Sequence, residues 1–394
     1  LVSITDNDLK NNADTSGNDI IFMDTSTDWE TGDISNRYPH EIEKWDSNTG
    51  EIVAWVKIDS ISSTTNTTIY MYYDSTCTGD KQDIENVWDN NYVLVQHLNE
   101  SVSTYRDSTS NNNDGIESGG INQGVNGKID GCPDFDGNND YINISHDSSL
   151  NFGTGDLSYS AWIKTDVSPS STNQILCKRT NGVGNYELQL ENTGKIRAYL
   201  EEDSTNSTSI DSTTIVKPNI WYYATVARNS GTMYLYINGT QENSSAADFN
   251  VDNSKSLQIG RDVVLQSEYF NGSIDEVRVS SAYRTANWIN TTYNNHHFSS
   301  FLSFGRQEIP NVAPTQSTPS PSNGATGQGL NPTLSIQVND TNIDSMDVTF
   351  RTNASGSWAT INSNNSVKNG TYQQTPSNMN SYDTKYFWSV NLTD

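Results

Sequence analysis

A period of two residues constrains this chain more than any other feature. Runs in which apolar and polar residues alternate recur along it, each bounded by Gly, Asn, Asp or Ser. Alternation of that period sends successive side chains to opposite faces of a strand, and the bounding residues are those that turn a backbone. EIVAWVKI (Glu51 to Ile58), TTIYMYY (Thr67 to Tyr73), LSYSAWIKT, YELQLE, KIRAYLE, IWYYATVAR and MYLYINGT are the clearest. Helical spacing is strongest at Arg284 to Asn294, where Trp288, Ile289 and Tyr293 would share an apolar face. His296 and His297 then fall in a surface connector. The expected fold class is all-β, a set of β-sandwiches.

Spacing divides the chain further. Residues 1–89 read as a small β-sandwich. Leu1-Val-Ser-Ile-Thr is already strand-like, so the first strand is expected to be missing. Residues 90–308 hold about eleven strands at the spacing of a jelly roll, with a hairpin turn at Asn238-Gly239. Residues 309–330 are rich in Pro, Ser and Gly and read as a linker. Residues 331–394 read as a small immunoglobulin-like or fibronectin-like sandwich, truncated at its end.

Charge excludes several partners. With 22 basic and 48 acidic residues the net charge is -26. Such a chain repels nucleic acid and anionic lipid. Its acids favour solubility in a salty or extracellular setting, and oxygen-rich turns suit calcium. Cys77, Cys132 and Cys177 have neither zinc nor CxxC spacing, and an odd count argues against a disulfide framework. No run of 18 apolar residues is long enough to span a membrane.

DFDGNNDYINI, LSYSAWIK, IWYYATVAR, MYLYINGT and FNGSIDEVRVSSAYRTANWI occur in an order and spacing that resemble the concanavalin A-like, laminin-G-like domains of cell-surface proteins. The resemblance covers about residues 93–308. Upstream, YPHEIEKWDSNTGEIVAWVKI and TTIYMYYDS resemble a domain of unknown function often found before such a module. The tail resembles immunoglobulin-like repeats of large prokaryotic surface proteins. Together these imply an extracellular, modular, all-β protein with a central concanavalin A-like jelly roll.

Candidate sites follow. Alternation in GSIDEVRV places Asp275 on the core face with Val277 and Val279, and sends Glu276 and Arg278 to solvent. A carboxylate in line with core valines must be hydrogen-bonded, at a wet rim, or bound to a cation. The resemblance implies a structural Ca2+ clamped by Asp275, with Asp107 or Asp136 opposite. By resemblance to pentraxin-like relatives, the loops 178–186 and 260–270 offer Asn181, Asn185, Asp262, Gln266 and Glu268 to a ligand. Tyr269 is their candidate for stacking on a sugar, whereas Trp162 and Trp221 read as packing residues. Sequons at Asn66, Asn143, Asn238 and Asn271 permit glycosylation, but their number is what composition alone predicts.

No catalytic arrangement is read. In YELQLEN, Glu187 and Glu191 stand four apart around Gln189, unlike the Glu-x-Asp-x-x-Glu run of laminarinase-like enzymes. The leading expectation is a non-catalytic surface protein that binds glycans or other surface proteins. The alternatives are a stalk, envelope or filament subunit, which copies of the chain would build by strand completion, and an accessory region of a polysaccharide-degrading enzyme.

Overall fold

The computed structural model describes residues 1–24, 36–75, 78–305, 312–341, 343 and 345–394; Cys77 and residues 309–311 of the expected linker lie outside them. Two units separate, Leu1–Phe304 and Gly305–Asp394.

In the first unit, residues 1–89 form two small antiparallel sheets. One is ordered β1 (Val2–Thr5), β5 (Glu51–Val56), β4 (His40–Asp46); the other is β3 (Arg37–Tyr38), β2 (Ile21–Met23), β6 (Tyr70–Tyr72). Leu9, Ile20, Phe22, Ile52 and Ala54 fill the space between them.

The jelly roll follows. Its first sheet runs β10 (Asn122–Asn126), β11 (Gly131–Asp136), β22 (Asn271–Ser280), β13 (Leu157–Thr165), β18 (Tyr222–Asn229), β19 (Thr232–Ile237), β20 (Thr240–Ala246), and β7 (Tyr92–Gln96) also pairs with β22. The second runs β17 (Asn206–Ile215), β16 (Lys195–Asp203), β15 (Val183–Leu190), β14 (Asn173–Lys178), β21 (Leu257–Ile259), β12 (Tyr141–Ile144), β9 (Gly115–Ser118), β8 (Thr104–Tyr105). Tyr159, Ile163, Leu188, Ala198, Ile259, Val277 and Val279 meet between the sheets. The all-β expectation holds.

The strand GSIDEVRV departs from simple alternation. Across the β13–β22 pair, Ile274 faces Ile163 and Asp275 faces Trp162, but Arg278 faces Ser160. Glu276 and Val277 therefore oppose Ala161 alone, and Glu276 takes a left-handed φ of 53°. This β-bulge shifts the alternation by one residue. Asp275 consequently lies on the outer face beside Trp162, opposite to the face of Val277 and Val279. Glu276 and Arg278 share that outer face, yet they are buried rather than solvated. The N-terminal segment covers them: the Arg278 guanidinium sits 4.4 Å from the Trp55 ring centroid and 4.7 Å from that of Trp88. Val53, Trp55, Val87 and Trp88 pack there with Tyr92, Val95 and Ile129.

The helix Ala286–His297 covers another part of the same face, capped by the Thr285 side chain, which accepts from Trp288 N–H. Ile289 packs with Trp162, Tyr223 and Tyr236, and Tyr293 stacks on Trp162. Trp288, expected on that apolar face, is 48% exposed. His296 and His297 belong to the last helical turn rather than to a connector. His296 is buried, accepting from Trp162 Nε1–H at 3.1 Å.

Several strands had no period to betray them. β10 and β20 are polar on both faces, β17 sends Ile210 into the core from a run otherwise rich in Ser and Thr, and all three lie at sheet edges. In the second unit, Thr315–Ser320 (β23) lies inside the expected linker but pairs with β24 (Leu334–Asn339), which pairs with β27 (Gly370–Gln374). Pro319 is tolerated there because an edge strand need not donate on its open side. A second sheet, β26 (Ala359–Val367), β25 (Met346–Thr352), β28 (Trp388–Thr393), completes a core of Leu334, Ile336, Met346, Val348, Phe350 and Val390.

Candidate functional site

The three carboxylates expected to clamp calcium each accept hydrogen bonds from nearby backbone N–H groups. Asp107 accepts from the backbone N–H groups of Val95, Thr109 and Asn113 at 2.8–3.0 Å and from the Thr109 hydroxyl at 2.8 Å. Asp136 closes its own turn, accepting from Asn138 and Asn139 N–H. Asp275 Oδ2 accepts from Lys128 N–H at 2.6 Å and Ile129 N–H at 3.0 Å. Burial, with the nearby charge of Glu276, holds the Asp275 carboxyl well above the usual carboxylate range. Asp136 faces Asn271 across β11 and β22. Asp275 is four residues further along the strand, about 13 Å at 3.3 Å per residue. Those two do not share a site.

Three of the four sequons are engaged by the fold. Asn143 accepts from the Gln258 side chain, Asn238 accepts from Tyr223 N–H, and Asn271 donates to Asp136 O. Asn66 sits in an exposed loop.

The expected ligand loops do come together, on the outer face of the second sheet. Leu188 and Leu190 point into the core, so Asn185, Glu187 and Gln189 point outward. Cys177 on β14 faces Glu187, and Tyr199 on β16 faces it from the other side. Asp262 joins from the loop after β21. Its Oδ2 is 2.7 Å from Arg179 Nη1, while its Oδ1 accepts from Val264 and Leu265 N–H. Arg179 Nε is 3.8 Å from Glu187 Oε1. Gln174 Nε2 donates to both Glu187 (3.0 Å) and Glu268 (2.9 Å), and Gln189 Nε2 donates to Glu187 (2.9 Å). Asn185 accepts from Thr180 N–H and donates to Glu201. Asn181 and Gln266 stand exposed at the loop tips.

The face is thus layered. A buried lower tier of Gln174, Cys177, Asn185, Glu187 and Asp262 supports partly exposed Tyr141, Arg179, Arg197, Tyr199 and Tyr269. Arg197 pairs with Glu191 at 2.9 Å and Asp211 at 2.7 Å. Arg261 bonds Gln258 at 3.0 Å and lies 3.5 Å from the Tyr141 ring centroid. Burial and the charge of Asp262 push the Glu187 carboxyl up to about 7 against the opposing pull of Arg179. Burial likewise raises the Cys177 thiol, which stays protonated and unreactive.

Chemistry on this face is limited by access. Glu187 and Glu191 lie about 13 Å apart along one strand face, beyond either glycosidase spacing. Glu187 and Asp262 come within 4.8 Å of each other, but they are 1% and 0% exposed. A general acid must reach the bond it cleaves, and both carboxyls are buried beneath Arg179. Sequence reasoning found Asp262, Asn185 and Glu268 but missed Arg179, Arg261 and Cys177. Alternation in NQILCKR, which sets Cys177 on the face opposite to Leu176, could have found Cys177; Arg179 and Arg261 lie in loops with no period.

The fold and this face define a jelly-roll module with a polar, aromatic-studded outer sheet surface. Residues 136–290 match the family model of the concanavalin A-like lectin/glucanases superfamily, and residues 16–112 match one described as a domain of unknown function. No curated protein matches the sequence. Among solved structures, the binding domain of Paraclostridial Mosquitocidal Protein 1 is similar at 18% identity and a TM-score of 0.46, covering 52% of this chain and 52% of that one. The chain thus spans about half the length of that relative. Domain 4 of AbnA, an extracellular arabinanase from Geobacillus stearothermophilus solved with arabinotriose, is similar at 18% identity and 0.43, covering 51% and 97%. The binding domain of botulinum neurotoxin DC, solved with SialylT, is similar at 12% and 0.44, covering 66% and 74%. At TM-scores below 0.5 these likenesses carry no argument about this chain.

Proposed function

We propose that the jelly roll is a non-catalytic binding module of an extracellular modular protein, and that it holds an uncharged saccharide chain on the outer face of the second sheet, from β12 through β14 and β15 to β16. The observation that carries this reading is the tiered face itself: partly exposed tyrosines and guanidiniums line a layer of buried acids and amides, and the acids hold Arg179 and Arg197 in place. Tyr141, Tyr199 and Tyr269 offer rings to sugar C–H faces, while Arg179 and Arg197 offer planar donors to hydroxyls. Prior hydrogen bonding lowers the ordering cost of binding. The charge balance selects against acidic sugars. Glu187, Glu191, Glu201, Asp211, Asp262 and Glu268 outnumber Arg179, Arg197 and Arg261, and two of those arginines are already ion-paired. On the same reading, the partners are the neutral glycans of surfaces or surface proteins.

A glycan array probed with the whole chain, followed by calorimetry, tests this. The expected result is binding to neutral oligosaccharides that weakens at least about tenfold in Tyr199→Ala and in Tyr141→Ala, with melting temperature unchanged. Silence across neutral sugars, or binding indifferent to both substitutions, would reject the assignment.

A further inference from the structure

A second cluster lies far from the sugar face, where the N-terminal segment meets the jelly roll. Glu41 and Glu43 come from β4, His97 directly follows β7, and Glu276 sits at the bulge of β22. His97 Nδ1 is 2.8 Å from Glu276 Oε1 and 3.6 Å from Glu43 Oε2. One donor atom from each of Glu43, His97 and Glu276 lies within 4.8 Å of the other two. Ligands about 2.1 Å from a tetrahedral ion stand about 3.4 Å apart, so the two measured distances bracket the spacing a metal needs.

Two further observations point to a ligand. First, Glu43 Oε1 is buried with no hydrogen-bond partner, on a side chain that is 0% exposed. Second, three carboxyls crowd one buried imidazole: Glu41, Glu43 and Glu276 all face His97, with Arg278, 2.6 Å from Glu276, as the other side-chain cation ion-paired to them among the described residues. Acids packed this closely away from water are held at a cost that a divalent ion would lower. The surroundings are buried and hydrogen-bonded. Trp55 stacks on the His97 ring at 5.3 Å and donates its N–H to Glu43 at 2.7 Å. Trp88 and Ser108 donate to Glu41 at 3.0 and 2.6 Å.

We propose that Glu43, His97 Nδ1 and Glu276 bind one divalent transition-metal ion of the zinc class, which ties the N-terminal segment to the jelly roll. Glu41 Oε2, 3.3 Å from His97 Nε2, would then accept that nitrogen's proton and fix the tautomer that leaves Nδ1 free to ligate. One imidazole with two carboxylates suits zinc, whereas calcium asks for six to eight oxygens.

The test strips the whole chain with a chelator and reloads it with Zn2+ alone. Metal analysis should find about one ion per chain, with the melting temperature about 5 °C or more above the stripped protein. Co2+ in place of Zn2+ should give the visible absorption of a low-coordinate nitrogen–oxygen site. Glu43→Gln keeps the shape and should lose both the ion and the thermal shift. Should that variant not fold, the Co2+ spectrum and stoichiometry of the wild type decide. Zinc retained undiminished by Glu43→Gln, or wild-type protein that takes up no ion and melts unchanged, would overturn the proposal.

Discussion

Glu187→Gln offers the sharpest view of how the sugar face is held. The fold disfavours the ionised form of Glu187: burial and Asp262 raise its carboxyl from 4.5 to about 7. Below about pH 4.5 the group is protonated in folded and unfolded chains alike, and no penalty exists. Between 4.5 and about 7 the folded state binds more protons, so stability falls as pH rises; above about 7 the loss is complete. The rise corresponds to about 3 kcal/mol at 1.36 kcal/mol per pH unit. Glutamine removes the titration. Its oxygen can still accept from Gln174 and Gln189, its amide can donate toward Asp262, and Arg179 keeps its 2.7 Å partner in Asp262. Urea unfolding of wild type and variant at about pH 5 and about pH 8 isolates this group, because every other titration is common to both. The variant should gain on the wild type by about 2–3 kcal/mol between the two pH values. Parallel behaviour, or a variant that loses ground as pH rises, would refute the account of the buried tier.

Two other substitutions probe the first sheet's outer face. Asp275→Ala orphans the N–H groups of Lys128 and Ile129 and should cost about 2–4 kcal/mol in urea unfolding, whereas Asp275→Asn keeps an acceptor and should cost less. Trp162→Phe preserves most of the ring packing but removes the bond to buried His296, for an expected loss of about 1–2 kcal/mol by the same measurement.

The sandwich character was legible because strands such as YELQLE and MYLYINGT alternate apolar core-facing residues with others that face away from the core. β17, β20 and β23 were not, since an edge strand of Ser, Thr and Asn owes its shape to the partner that pairs with it. The bulge at Glu276 was hidden for a related reason: its φ is dictated by the register with β13, which no local pattern encodes. His296 looked superficial because the aromatic wall that buries it, Trp55 and Trp162, comes from distant parts of the chain. Loops 178–186 and 260–270 could be nominated for their amides and acids. That Arg179 would join them required the tertiary fold.

The strand β7 lies within residues 16–112, the span assigned to the domain of unknown function, yet it hydrogen-bonds to β22 inside the neighbouring superfamily's sheet. The two recognised segments are therefore interlocked rather than strung in series. A recombination event or an expression boundary drawn between residues 112 and 136 would strip the jelly roll of a ladder and bare Glu276 and Arg278. Inheritance of such a pair should favour the whole cassette, and its smallest independently folding piece should include the strands upstream of residue 112 rather than begin near residue 136.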